Sequence, residues 1–218
     1  MSAHLYEFGV SYISVPKCGC TSLKMLCFEI ENGFEFRDFV TNGGHFHIHH
    51  FYGSPPFQIA KEAAELNNFK FTVIRSPVDR IKSCYNHWVV SEYGREVMLN
   101  SASITSQIGI PVQPNFSEFV DHLEAYRSAF PNISHHTEKL SYFLGSDSNY
   151  FNAVYEISKI SDAVAVLREK TGKDISIRHY NKQKYTEDYE VGSRSIIDKI
   201  NDIYAEDFEI FGMYLDQK

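Results

Sequence analysis

The residues VPKCGCTS, 15–22, join an apolar stretch to an amphipathic one. Ahead of them GVSYIS alternates apolar and small side chains, and residues 9–15 read as a short buried strand. After them TSLKMLCFEIENG places Leu23, Leu26, Cys27 and Ile30 at helical spacing, so a helix is expected over 21–32, with Gly33 placed to stop it. A strand that turns directly into a helix presents N–H groups without intrahelical partners at the positive end of the helix dipole. Such a turn can hold an anion.

Working outward, FEFRDFV (34–40) alternates and fits a second strand. TNGGHFHIHHFYGSPP is a loop by its Gly and Pro content, with four histidines in six residues. Residues 57–66 suit a helix. FKFTVI (69–74) is a strongly apolar strand, and SPVDRIKSCYNHWVV begins a helix with Pro77 in its first turn. Residues 92–115 read as a polar, irregular excursion, and 116–129 as a helix. NYFNAVYEIS (149–158) is the next strand, followed by a helix over 159–171 that Gly172 ends. Residues 176–192 read as irregular, and 195–212 as an amphipathic helix with Ile196, Ile200, Ile203 and Phe208 on or near one face. Strands alternating with helices predict an α/β fold, a single domain over 1–218 with a central parallel sheet flanked by helices.

The chain of 218 residues, 43% hydrophobic and 15% aromatic, suffices for one real core. Its net charge of −7 argues against a non-specific nucleic-acid binder. It does not forbid an anionic ligand, because local N–H groups and a few cations decide that. No stretch reaches the roughly 20 apolar residues of a membrane span, and the N-terminus lacks a basic-then-apolar signal pattern. Cys18, Cys20, Cys27 and Cys84 show no scaffold-like spacing and read as reduced thiols. A cytoplasmic protein is the expectation, or a chain trimmed of a leader.

The first turn departs from G-x-x-x-x-G-K-[ST]: its lysine, Lys17, comes early, it has one glycine, and Thr21-Ser22 opens the helix. The strand 69–74 ends in Arg75, where a nucleotide triphosphatase would want an acidic metal ligand. A site with two cations and no metal carboxylate is suited to holding anions directly. Arg75 leaves the strand end, where open parallel sheets bind ligands; Arg80 and Ser83 follow on the same segment. Each residue also has a plainer reading. Thr21 or Ser22 could simply cap a helix. Arg75 and Arg80 could pair with acids, and Ser83 could be a surface serine. The histidines could be solvated or could bind zinc with Cys18 and Cys20, although H-x-H-x-H-H with C-x-C lacks the usual zinc spacing.

Together, the early P-K-x-x-x-T-S turn and V-x-R-x-P-x-x-R-x-x-S-x-Y resemble the PAPS-dependent sulfotransferases, in particular the carbohydrate branch with its uronyl 2-O and chondroitin members. HHTEKLSYFLG (135–145), FNAVYEISKISDAVAVLREKTG and IYAEDFEIFGM (203–213) are similar to later stretches of that branch, the last to a Y-x-x-D-x-x-x-F-G signature. The resemblance spans about residues 10–214 and implies a P-loop-like sulfotransferase fold. It implies that Lys17, Cys18, Gly19, Cys20, Thr21 and Ser22 cradle the 5′-phosphosulfate of PAPS, with Lys17 also stabilising charge on the bridging oxygen. It implies that Arg75 and Ser83 bind the 3′-phosphate. It implies a histidine base in GGHFHIHHF; aligning Gly44 and Phe51 with the family pattern selects His45, with His47 second. A histidine titrates near working pH, and on an extended segment His45, His47 and His49 would share a face. The expected reaction moves a sulfuryl group from PAPS to a carbohydrate hydroxyl, releases PAP and requires no metal. A nucleotide kinase, or a non-catalytic nucleotide- or metal-binding protein, remains the alternative. Asn181, Lys182 and Lys184 could reach the 3′-phosphate or adenine; a solvated loop is the plainer reading. Acceptor identity and oligomeric state are not written in the sequence.

Overall fold

The computed structural model describes residues 2–178 and 194–215. In chain order the elements are β1 (Ala3–Leu5), β2 (Val10–Tyr12), α1 (Cys20–Asn32), β3 (Phe39–Thr41), β4 (Gly44–Phe46), α2 (Ile48–Phe51), α3 (Phe57–Ala64), β5 (Phe69–Ile74), α4 (Pro77–Tyr85), α5 (Glu92–Asn100), α6 (Ala102–Ile108), α7 (Phe116–Asp121), α8 (Leu123–Ala129), α9 (Pro131–Thr137), α10 (Leu140–Leu144), β6 (Ala153–Glu156), α11 (Ile160–Thr171), α12 (Arg194–Ile203) and α13 (Ala205–Phe211). The chain divides into two compact units. One takes its described residues from Met1–Arg75, Leu140–Lys182 and Ile210–Lys218, the other from Ser76–Lys139 and Gln183–Glu209.

The first unit is an α/β structure around a four-stranded sheet of order β1-β2-β5-β6. β2 pairs with β5 and β5 with β6 in parallel, as expected, whereas β1 joins β2 antiparallel at the edge. The register sets Tyr12 beside Phe71 and Ile74 beside Glu156. The parallel ladder runs beyond β2, since the Ile13 N–H donates to the Phe71 carbonyl and the Thr72 hydroxyl to the Ile13 carbonyl. Leu23, Leu26, Cys27 and Ile30, the apolar stripe of α1, are buried with Tyr12, Phe71, Val73, Val164 and Leu167 in one core. Gly33 and Gly172 end their helices in left-handed conformations, as their positions predict.

The segment 34–40 is not a strand of this sheet. The strand here is Phe39–Thr41, and it pairs with Gly44–Phe46 in a separate two-stranded hairpin. The histidine segment is not continuously extended either. His47 caps the one-turn helix α2, so His49 leaves the alternating face expected for it.

The second unit is helical. Its core joins Ile81, Tyr85, Trp88, Phe119, Leu123, Tyr126, Ile196 and Ile200. The segment 92–115 is a further correction: it contains α5, N-capped by the Ser91 hydroxyl, and α6. The helix expected over 116–129 breaks at His122 into α7 and α8, and that over 195–212 divides into α12 and α13. Arg80 is buried; its guanidinium donates to the Glu138 carbonyl at 2.7 Å and faces Asp207, also buried, at 4.0 Å. The Tyr204 hydroxyl donates to the Thr137 carbonyl. The tyrosine and aspartate of the C-terminal signature thus hold the end of α9 and Arg80 in place, which gives Arg80 the structural role of its plainer reading. Of the segment read as irregular, 179–192 lies outside the described residues, as do Asn181, Lys182 and Lys184. Among the described residues no helix is long and apolar enough to cross a membrane.

Candidate active site

The turn after β2 and Arg75 after β5 leave adjacent parallel strands at their C-terminal ends, where such sheets place their ligands. Lys17 has φ +66°, alone among the described non-glycine residues in lying in the left-handed region. Gly19, N-cap of α1, has φ +73°. Two left-handed residues flanking Cys18 curl the backbone ahead of the helix start, the arrangement in which successive N–H groups form an anion-binding concavity. The turn is also close-packed. A Cβ on Gly19 would lie 3.1 Å from Ile160 Cδ1 and 3.6 Å from Ile157 Cδ1, so a side chain there would carry left-handed strain and also need the Ile160 methyl to give by a few tenths of an ångström. Cys18 and Cys20 are buried free thiols, part of the turn's packing. Ser22 is buried in the first turn of α1, and Thr21 and Lys17 are half-buried beside it.

Three residues that sequence reasoning gave no role, Lys24, Ser54 and Ser14, complete this turn together with His49, which was expected only on the histidine face. Lys24 lies one helical turn after Thr21, on the same side of α1, and is only 1% exposed. It contacts His49 Nδ1 at 3.2 Å and donates to Ser54 Oγ at 3.0 Å. His49 Nε2 in turn meets Thr21 Oγ1 at 3.0 Å. Ser14 lies against Ser54 Oγ at 2.8 Å and donates to the Gly53 carbonyl at 3.1 Å. Burial pushes the Lys24 ammonium below its ordinary range, since desolvation disfavours the charged form. Patterning alone puts a lysine on the solvent side of a helix; the one available signal is its place inside the apolar run Leu23-Lys24-Met25-Leu26.

The histidines differ in what their ring nitrogens do. His45, exposed on β4, turns Nε2 to Asp38 Oδ2 at 3.4 Å. His47 Nδ1 accepts the His49 N–H at 3.2 Å, and His50 Nδ1 accepts the His47 N–H at 3.2 Å, a reciprocal cap on α2. Desolvation first, then the nearby His50, lowers the His47 pKa from its ordinary value. Ring centroids 6.1 Å apart for His45–His47 and 5.6 Å for His47–His49 link the hairpin to the turn ahead of α1 through three successive imidazoles.

The structure thus gathers Lys17 through Ser22 in one turn, sets Arg75 on the neighbouring strand end, and brings His49 to the turn. Ser83 lies about two turns along α4, in the second unit, half-buried. Glu156, buried at the end of β6, stands where an acidic metal ligand could be sought, but its carboxylate accepts the Ser158 N–H. Among the described residues no cluster of three or more His, Cys, Asp or Glu is arranged to hold a metal ion.

Comparison with curated proteins and with solved structures returns no match. One family model does match, that of the Sulfotransferase family, over residues 6–214, and it spans the turn ahead of α1, the histidine hairpin, Arg75 and the C-terminal signature. The chain therefore belongs to the sulfotransferase family, whose reaction is transfer of a sulfuryl group to a hydroxyl-bearing acceptor.

Proposed function

We propose that the chain acts as one catalytic domain over 1–218 that transfers the sulfuryl group of PAPS to a carbohydrate hydroxyl, with PAP as product and without a metal. The observation that carries this reading is the phosphate turn itself: left-handed Lys17 and Gly19, then the helix N-terminus with Thr21 and Ser22, beside Arg75 on the next parallel strand. These residues fit a phosphosulfate. N–H donors and a lysine face one charged group, and an arginine is available for a second, the 3′-phosphate that separates PAPS from ATP. Ser83 is assigned to that same phosphate on the sequence motif alone.

When bound, PAPS supplies the activated sulfuryl group. Lys17 and the N–H groups of the turn hold the charge that builds on the phosphate oxygen as the S–O bond breaks. His45 takes the proton of the attacking hydroxyl. Asp38 beside Nε2 favours the tautomer with its proton there, leaving the Nδ1 lone pair as the base. His47 is the second choice; its Nδ1 is engaged in capping α2. Incubation with [35S]PAPS and a panel of unsulfated and partly sulfated glycans in EDTA tests the reading. Label transferred to glycan, lost in Lys17→Ala and His45→Ala, supports it; a Mg²⁺-dependent phosphoryl transfer from ATP instead would overturn it.

A further inference from the structure

Lys24 is too deeply buried to meet a ligand itself, yet its partners lead straight to the phosphate turn. The hydroxyl chain beneath it fixes the direction of each bond. Ser14 spends its proton on the Gly53 carbonyl, so Ser54 donates to Ser14, and the Ser54 oxygen receives a Lys24 N–H. An ammonium has donors only, so Lys24 also donates to His49 Nδ1. That nitrogen then carries a lone pair, and the proton of neutral His49 is on Nε2, 3.0 Å from Thr21 Oγ1. The Thr21 oxygen accepts this proton, which leaves its own O–H free to donate.

We propose that Lys24 is a positioning residue which, acting through His49, turns the Thr21 hydroxyl into a donor aimed at the anion in the phosphate turn. This gives His49 a task distinct from that of the base, and it explains a buried lysine whose contacts are a histidine and a serine. The identity of the anion rests on the proposed function; the bond directions do not.

The full-length chain labelled with 15N-histidine gives the first test, at pH 7.5, with His49 assigned through its backbone resonances. Long-range 1H–15N correlation is expected to show neutral His49 with its proton on Nε2. A proton on Nδ1, or a charged ring, would overturn the proposal, because Lys24 would then not be donating to it. The second test is a double-mutant cycle of Lys24→Met and Thr21→Val, read by calorimetric binding of PAP and, separately, of inorganic pyrophosphate. Each single variant is expected to weaken binding about three- to tenfold, the range of one neutral hydrogen bond, and the double variant no further. Losses that multiply, or no binding of either anion by the parent chain, would overturn it. Coupled losses with pyrophosphate but no preference for PAP over ADP would leave the relay standing and remove the PAPS reading.

Discussion

Replacing Gly19 with alanine tests whether the proposed phosphate turn depends on its backbone shape. Gly19 and Gly33, at opposite ends of α1, have nearly the same left-handed geometry, φ +73° and +76°. An alanine Cβ costs about 1–2 kcal/mol in that region wherever it is placed. At Gly33 a Cβ meets nothing within 4 Å, whereas at Gly19 it meets Ile160 Cδ1 at 3.1 Å. Gly33→Ala therefore measures the backbone term alone, and Gly19→Ala adds a tight contact with the Ile160 methyl that the turn or that side chain must relieve. For a chain of this size about 1–2 kcal/mol lowers Tm by roughly 2–8 °C. Differential scanning calorimetry should show a loss of that order in Gly33→Ala and an equal or larger one in Gly19→Ala. PAP binding should separate them. Gly33→Ala keeps the parent affinity, while Gly19→Ala, by misplacing N–H groups that meet a charged ligand, weakens it at least about tenfold. Equal PAP affinity in the two variants would refute the claim that this turn holds the nucleotide.

Other predictions follow from the same geometry. Lys17→Ala and Arg75→Ala should each raise the Kd for PAP about ten- to a hundredfold, the span of one charge-assisted contact, with Tm nearly unchanged; calorimetry checks both. His45→Ala should lower kcat by about 10²–10⁴ with little change in the KM for PAPS. His47→Ala should act mainly through the α2 cap, costing about 0.5–2 kcal/mol of stability, and His47→Asn, a good N-cap, should restore most of it. Asp207→Ala leaves the Arg80 guanidinium buried without its counter-charge and should cost about 3–5 kcal/mol, read by denaturant unfolding. His4 is buried on β1, and desolvation lowers its pKa from 6.5 to about 4. The unfolded chain takes up that proton first as pH falls, so stability is undiminished above pH 6.5 and declines between about 6.5 and 4, by up to about 3 kcal/mol. His4→Gln should flatten that part of the stability profile.

The parts of the fold legible in the sequence are those where a strong local signal and tertiary burial agree. β5 is six residues, four of them large and apolar, followed by Arg75. α1 carries its apolar residues on one stripe and meets Gly33 at its end. β1 escaped because AHL is three residues long and gains its place only by pairing with β2 across the sheet edge. α5 and α6 are too short for their periodicity to stand out in a polar segment. Gly94 sits inside α5, where a Cβ would lie 2.5 Å from the Trp88 backbone, so the close approach requires glycine within the helix.

At the site, the lysine, the glycine and the hydroxyls of the turn were legible, since their spacing follows from a helix N-terminus. The histidines were legible as a group only. Four in six residues look extended, but His47 and His50 close a turn by capping each other's backbone, and imidazole is not a usual capping group. Lys24 and Ser54 were not legible at all: their partnership joins residues 30 positions apart and exists only once α1 has packed against the segment after α2.

Isothermal titration of the chain with PAP in EDTA, beside AMP and ADP, decides whether the site is built for a 3′-phosphate. The account predicts that PAP binds at least tenfold more tightly than either nucleotide lacking the 3′-phosphate, and that Arg75→Ala abolishes the difference. Equal affinity for PAP and ADP, or binding that appears only with Mg²⁺, would contradict it.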